Sequence, residues 1–203
     1  MMMFCDIMRP KKAKERRRTM CKRAVMTIRN TVYNIDNVDK AAKLILSDYK
    51  TKTSVPIVKI LNDAGFRILL QELPSNTGGY IMMSGNYSEK FGSDKIIVLN
   101  NSNPANRRRF TLAHEFGHFL LDPKAKDVFE FYDAYETDDD ESPTEQLVNK
   151  FAAELLMPSK LFSKKYNEMK KKKMDIYDIC IALTEFFEVP YKAVTRRIAE
   201  LGL

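Results

Sequence analysis

His114-Glu115-Phe116-Gly117-His118 holds both histidines of a 203-residue chain. Residues i and i+4 of a helix share one face about one turn apart, so both imidazoles can reach a single metal ion. Glu115 projects about 100° further round the helix, which sets its carboxylate beside a water held by the metal, not on the metal itself. Most helical histidines are satisfied core or surface residues. Pairing the only two histidines, with a glutamate directly after the first, favours the metal.

Asn103-Pro104 begins this helix, with a capping asparagine and a proline at the first helical position. Phe110, Ala113, Gly117 and Leu120 form its inward stripe, and the helix should stop before Pro123. Gly117 in a helix interior is unfavourable by about 1 kcal/mol, which predicts a close approach to the backbone there.

A catalytic zinc takes three protein ligands and leaves a fourth position open. The chain has no third histidine. Its three cysteines, Cys5, Cys21 and Cys180, form no CxxC group and read as reduced thiols. A carboxylate must complete the set, and the nearby acids are Glu145, Glu154 and the acidic run Glu130 to Glu141, which reads as a solvated loop. Glu145 shares a helix face with Asn149, four residues on, and Asn149 could orient a ligand from behind. Glu154 lies about 900° round from Glu145, on the opposite face, so only one of the two can point at the metal. Ser142-Pro143-Thr144-Glu145 also matches a capping box, which would use Glu145 for the helix end instead.

Around this centre, the helical stripe Val38, Ala41, Ala42, Leu44, Ile45 and Tyr49 predicts one helix, and Pro56 to Gly65 a second closed by glycine. Phe66 to Leu70, Tyr80 to Met83 and Lys95 to Leu99 read as strands, with Asn76-Thr77-Gly78-Gly79 as turn. A helix from Ser142-Pro143 to Met157-Pro158 and two or three more, the last near Tyr191 to Leu201, finish the chain.

Hydrophobic content of 44% and charged content of 30% fit a globular protein. No apolar run approaches the roughly 18 residues of a membrane span, and the cytoplasm is the expected compartment. The net charge of +7 belongs to residues 1–23, which carry nine basic side chains against two acidic ones; the other 180 residues are balanced. This organisation predicts a flexible basic extension over 1–37 and a folded domain over 38–203, of which 158–203 is a C-terminal helical part. Nucleic acid would be contacted only through the basic extension.

Arg108-Arg109-Phe110-Thr111-Leu112-Ala113-His114-Glu115-Phe116-Gly117-His118, followed by Glu145 and by Asn149-x-Phe151-Ala152-Ala153-Glu154-Leu155-Leu156-Met157-Pro158, resembles the ImmA/IrrE metallopeptidase family. The likeness extends more loosely from about Val38 to the C-terminus and omits the basic extension. It implies an α+β, zincin-like fold: a small twisted three-stranded sheet, an HExxH active-site helix, a second helix bearing a ligand, and C-terminal helices. It assigns His114, His118 and Glu145 to Zn2+ and makes Glu115 the catalytic base.

The chemistry implied is zinc-dependent endopeptidase activity on a protein substrate, and the resemblance points to site-specific cleavage of a helix-turn-helix repressor, relieving repression in a mobile element or stress response. Strand Ile96 to Leu99 is expected to pair with an extended substrate if it borders the cleft. Tyr80, Tyr132 and Tyr135 match an oxyanion-stabilising group by type, and none is assigned. A non-catalytic regulator binding DNA or a repressor is the alternative, resting on the basic extension and on residues 184–198, which scan as a helix-turn-helix. A toxin–antitoxin component is a third reading.

Overall fold

The aromatic ring of Phe116, one residue before Gly117, marks the centre of the core. It meets Phe66 and Phe151 edge-on at ring-centroid distances of 5.8 and 6.2 Å. A computed structural model of the chain describes residues 9–49, 54–84, 86–122, 129–134 and 142–203, with the backbone alone at 9–12 and 129–134. Its elements are α1 (Arg9–Arg29), α2 (Asp39–Leu46), α3 (Ile57–Ala64), β1 (Arg67–Gln71), β2 (Thr77–Met83), α4 (Tyr87–Phe91), β3 (Lys95–Asn100), α5 (Ala105–Leu121), β4 (Phe129–Ala134), α6 (Pro143–Leu156), α7 (Ser159–Lys171), α8 (Ile176–Phe187) and α9 (Tyr191–Glu200). No helix among the described residues is long and apolar enough to cross a membrane.

The class is mixed α and β, as expected. The three anticipated strands share one sheet, and β4 joins it, giving the order β1-β3-β2-β4. β4 lies at the start of the acidic run that reads as loop in the sequence; Phe129, Phe131 and Tyr132 supply strand-forming aromatic residues, and strand pairing outweighs the polar composition. Thr77, Gly78 and Gly79, read as turn, instead open β2.

β3 is the buried strand, paired in parallel with β1 and antiparallel with β2. Both its hydrogen-bonding edges are therefore occupied, and the expectation that Ile96 to Leu99 receives a substrate strand is overturned. Among the described residues the sheet edges belong to β1 and β4.

The basic extension is not a free tail over its whole length. Arg9–Arg29 is helical, and Cys21, Ala24, Val25 and Ile28 are buried in the common core. The Cys21 thiol approaches the Ile60 carbonyl at 3.8 Å. Arg29 donates to the Phe119 carbonyl at 2.9 Å and lies 4.2 Å over the Phe119 ring. These four apolar residues follow i, i+3, i+4, i+7, so burial of the stripe recruits the helix despite its charge. Residues 1–8 lie outside the described residues.

Two local devices set the helices beside the sheet. Gly65 closes α3 at φ 93°, and the Phe66 N–H bonds back to the Leu61 carbonyl at 2.9 Å. At the end of β3 the buried Asn100 amide donates to the carbonyls of Leu73, Pro74 and Thr77, while its side-chain oxygen accepts from the Ser102 N–H. This ties the β1–β2 connection to the turn that launches α5. Pro104 is itself the residue before α5, one place later than the sequence suggests.

The far end of α6 is held by a buried ion pair. Arg197 of α9 bonds the Glu154 carboxylate and donates to the Met157 carbonyl at 3.1 and 3.2 Å, and Glu154 also accepts from the N–H and hydroxyl of Ser159. Removing one partner strands a buried charge. Arg197→Leu is expected to destabilise the fold by about 3–5 kcal/mol, read as a lower urea midpoint at unchanged m-value.

Candidate metal centre

α5 and α6 pack so closely that a side chain at Gly117 has no room. A Cβ there would lie 2.9 Å from Val148 Cγ1 and 3.1 Å from Phe151 Cδ1. On the sheet side, a Cβ at Gly79 would lie 2.6 Å from the Val98 carbonyl and 2.9 Å from Thr111 Cγ2 of α5. Glycine at both places lets α5 approach α6 and β2 together. The close approach predicted for Gly117 is thus met by α6.

Across this contact the side chains of His114, His118 and Glu145 converge. The two Nε2 atoms are 3.0 Å apart, His114 Nε2 lies 3.3 Å from Glu145 Oε2, and His118 Nε2 lies 3.2 Å from Glu145 Oε1. Four ligands on a tetrahedral centre with bonds near 2.1 Å sit roughly 3.4 Å from one another. The trio has almost that spacing, and the donor set of two imidazoles and a carboxylate suits a divalent transition ion.

The surroundings prepare these atoms for a cation. His114 Nδ1 is 2.9 Å from Asn149 Oδ1, which accepts only if Nδ1 carries the proton; Nε2 then presents its lone pair to the trio. Burial pushes the Glu145 carboxyl up, but hydrogen bonds and charge from His114 and His118 outweigh it and hold the group well below the usual carboxylate range. His114, Glu115 and His118 are all buried.

Glu145 takes part in only the serine half of a capping box. Its backbone N–H is capped by Ser142 Oγ at 3.2 Å, while its side chain turns to the imidazoles. Glu154 points the other way, into the pair with Arg197, as its position on the opposite face requires. One acid was missed by the sequence reading: Asp122, the residue after α5, has Oδ2 3.9 Å from His118 Nδ1. Its position four residues after His118 was the available signal. Tyr80 alternates with Gly79 and Ile81; Gly79 meets α5, so Tyr80 belongs to the other sheet face. Tyr132 pairs with Tyr80 in register, but its side chain and all of Tyr135 lie outside the described residues.

Residues 65–199 match the Peptidase_M78 model, described as an IrrE N-terminal-like domain. The chain belongs to the ImmA/IrrE family. It is 41% identical over 63 residues to the radiation response metalloprotease IrrE of Deinococcus radiodurans, covering 31% of this chain and 19% of that one. With the protein of the same name from Deinococcus deserti it shares 42% over 66 residues, covering 32% and 24%. The match thus spans less than a quarter of these relatives' length. A Mycobacterium tuberculosis transcriptional regulator shares the fold, with a TM-score of 0.53 at 16% identity, over 92% of this chain and 51% of that one. The family implies a metal cofactor, and the trio supplies a set of side chains that fits one.

Two variants probe the geometry. Gly117→Ala gains about 1 kcal/mol of helix propensity against about 1–3 kcal/mol of overpacking, so its thermal stability should fall only modestly. Its metal affinity should drop further than that, because the new methyl wedges α6 from α5. Asn149→Ala is expected to weaken metal binding about 10–100-fold with an unchanged far-ultraviolet spectrum, as measured by competition with a chromophoric chelator.

Proposed function

We propose that the protein is a zinc-dependent endopeptidase that makes a site-specific cut in a helix-turn-helix transcriptional repressor. The convergence of His114, His118 and Glu145 beside the buried Glu115 is the observation that carries this reading. His114, His118 and Glu145 hold Zn2+, Glu115 is the catalytic base, and Asn149 positions His114. Zinc supplies Lewis acidity there, acidifying water and polarising the scissile carbonyl. Glu115 accepts the proton of the attacking water and returns it to the leaving amine nitrogen. The Asn149 carbonyl fixes the tautomer and ring plane of His114. Glu145 stays ionised and offers an oxygen toward each imidazole nitrogen. β4 adjoins β2, the strand packed on α5, so its outer edge is where an extended substrate adds through main-chain hydrogen bonds.

The repressor is proposed from the family resemblance, as are an anti-repressor role and a cytoplasmic location. The non-catalytic alternative rests on the basic N-terminal segment and on a helix-turn-helix reading of the end of α8, the turn Glu188 to Pro190, and α9. Its helix-turn-helix part loses support from Arg197, which is buried and bound to Glu154 and Met157 and so is withdrawn from any nucleic acid.

Incubation of the zinc-loaded protein with the repressor encoded beside it should give one discrete cut, identified by intact-mass spectrometry. Glu115→Gln should retain about one zinc per chain while the cleavage rate drops by about 10²–10⁴-fold. Undiminished cleavage by that variant, or an untouched repressor at full zinc occupancy, would overturn the proposal.

A further inference from the structure

A groove with a volume of about 850 Å³ runs between α1, α3 and the start of β1, and no member of the metal trio lines it. Its walls carry Lys14, Arg18 and Lys22 from α1, Lys59 from α3, Arg67 from β1 and Arg109 from α5. Among the described residues that line it, Asp63 is the single carboxylate. Lys14, Arg18 and Lys22 recur every four residues, so their side chains line one helix face at about 6 Å intervals along the axis. All three are exposed, as is Arg67.

Asp63 is committed within the protein. It accepts from Tyr49 Oη and Lys59 Nζ, both at 3.0 Å, and lies 3.7 Å from Arg18 Nε. Arg109 is committed as well, to the carbonyls of Val55 and Phe187 and to the Glu188 carboxylate at 3.7 Å. Lys14, Lys22 and Arg67 have no ion-pair partner among the described residues. The groove therefore presents a concentrated, largely uncompensated positive field to solvent.

We propose that this groove binds the phosphate backbone of nucleic acid, independently of base sequence and at a place separate from the metal centre. Charge complementarity names a polyanion, and the lining distinguishes its kind. Peptide interfaces are anchored by buried aromatic and apolar residues. Here Ile57 and Phe66 are buried within the fold, and Val58 and Pro56 offer the apolar surface that remains. A polar, cationic wall without anchors is the character of a nucleic-acid interface. Contacts of Lys and Arg with phosphates position a strand but do not read bases.

Binding of a fluorescein-labelled 20-base-pair duplex to the full chain, followed by anisotropy across a salt series, tests this. With Lys14, Arg18, Lys22, Lys59 and Arg67 each on one phosphate, affinity should fall roughly 500-fold between 50 and 200 mM salt. The exposed triple variant Lys14→Glu/Lys22→Glu/Arg67→Glu should bind weakly, with a fall of roughly 12-fold or less over that range. Arg67→Gln leaves α1 untouched and should lower the logarithmic salt slope by about one unit, so the test survives if the triple variant folds poorly. Reversing Lys160, Lys164 and Lys171 on α7 makes the same charge change away from the groove and should leave most of the binding intact. The proposal is overturned if the unmodified protein fails to bind at 50 mM salt, if the α7 variant loses as much affinity as the groove variant, or if polyglutamate of matched charge displaces the duplex as well as unlabelled duplex does.

Discussion

Contact between α5 and α6 at Gly117 is the constraint on which the metal centre depends. The histidines come from one helix and the glutamate from the other, so no single element fixes their separation. Val148 packs against Gly117 one residue before Asn149 and three after Glu145, so a single point of van der Waals contact governs both the carboxylate and the amide. Interiors are packed densely enough that such a contact transmits displacement instead of absorbing it. A shift of about 1 Å would exceed the tolerance of a coordination shell built from fixed rotamers.

That contact would be a pivot if α6 were held only there. Its N-terminus is capped by Ser142, and its C-terminus is gripped by Glu154 through Arg197 and Ser159. The buried ion pair thus belongs to the architecture of the site without touching it. Replacing it with apolar residues could preserve stability, yet the hydrogen bonds from Arg197 to the Met157 carbonyl also set where the chain turns from α6 into α7. Specific direction, more than net stabilisation, is what the charged pair contributes.

Much of the centre was legible in the sequence because each helix's share of it follows helical periodicity. Spacing of four placed His114 with His118 and Glu145 with Asn149, and spacing of nine separated Glu145 from Glu154. Whether the Glu145 side chain closes a capping box or faces the histidines was undecidable by spacing, because the third position of α6 suits both; Ser142 caps the helix alone and the carboxylate faces the histidines. The fold was less legible where tertiary pairing overrides composition. Phe129–Ala134 reads as loop beside its acidic neighbours, yet Phe129, Phe131 and Tyr132 suit it to a strand. β3 looks like a strand from any angle, but only its neighbours reveal that both edges are filled. α4 spans a mere Tyr87–Phe91 and carries no buried residue, so it has no stripe to detect.

The basic segment shows how a charge count can conceal a packing signal. Cys21, Ala24, Val25 and Ile28 form a short stripe inside a sequence dominated by Lys and Arg, and four buried apolar side chains suffice to bind α1 to α3 and α5. Docking brings Lys14, Arg18 and Lys22 beside Lys59 and Arg67, and like charges at helical spacing disfavour that arrangement. Asp63 offsets part of this repulsion from within, since it is buried, bonded to Tyr49 and shared by Arg18 and Lys59. A single internal carboxylate against so many cations leaves the docked helix under electrostatic tension, which an external polyanion relieves. By linkage, whatever binds that face must also hold α1 more firmly to the body of the protein.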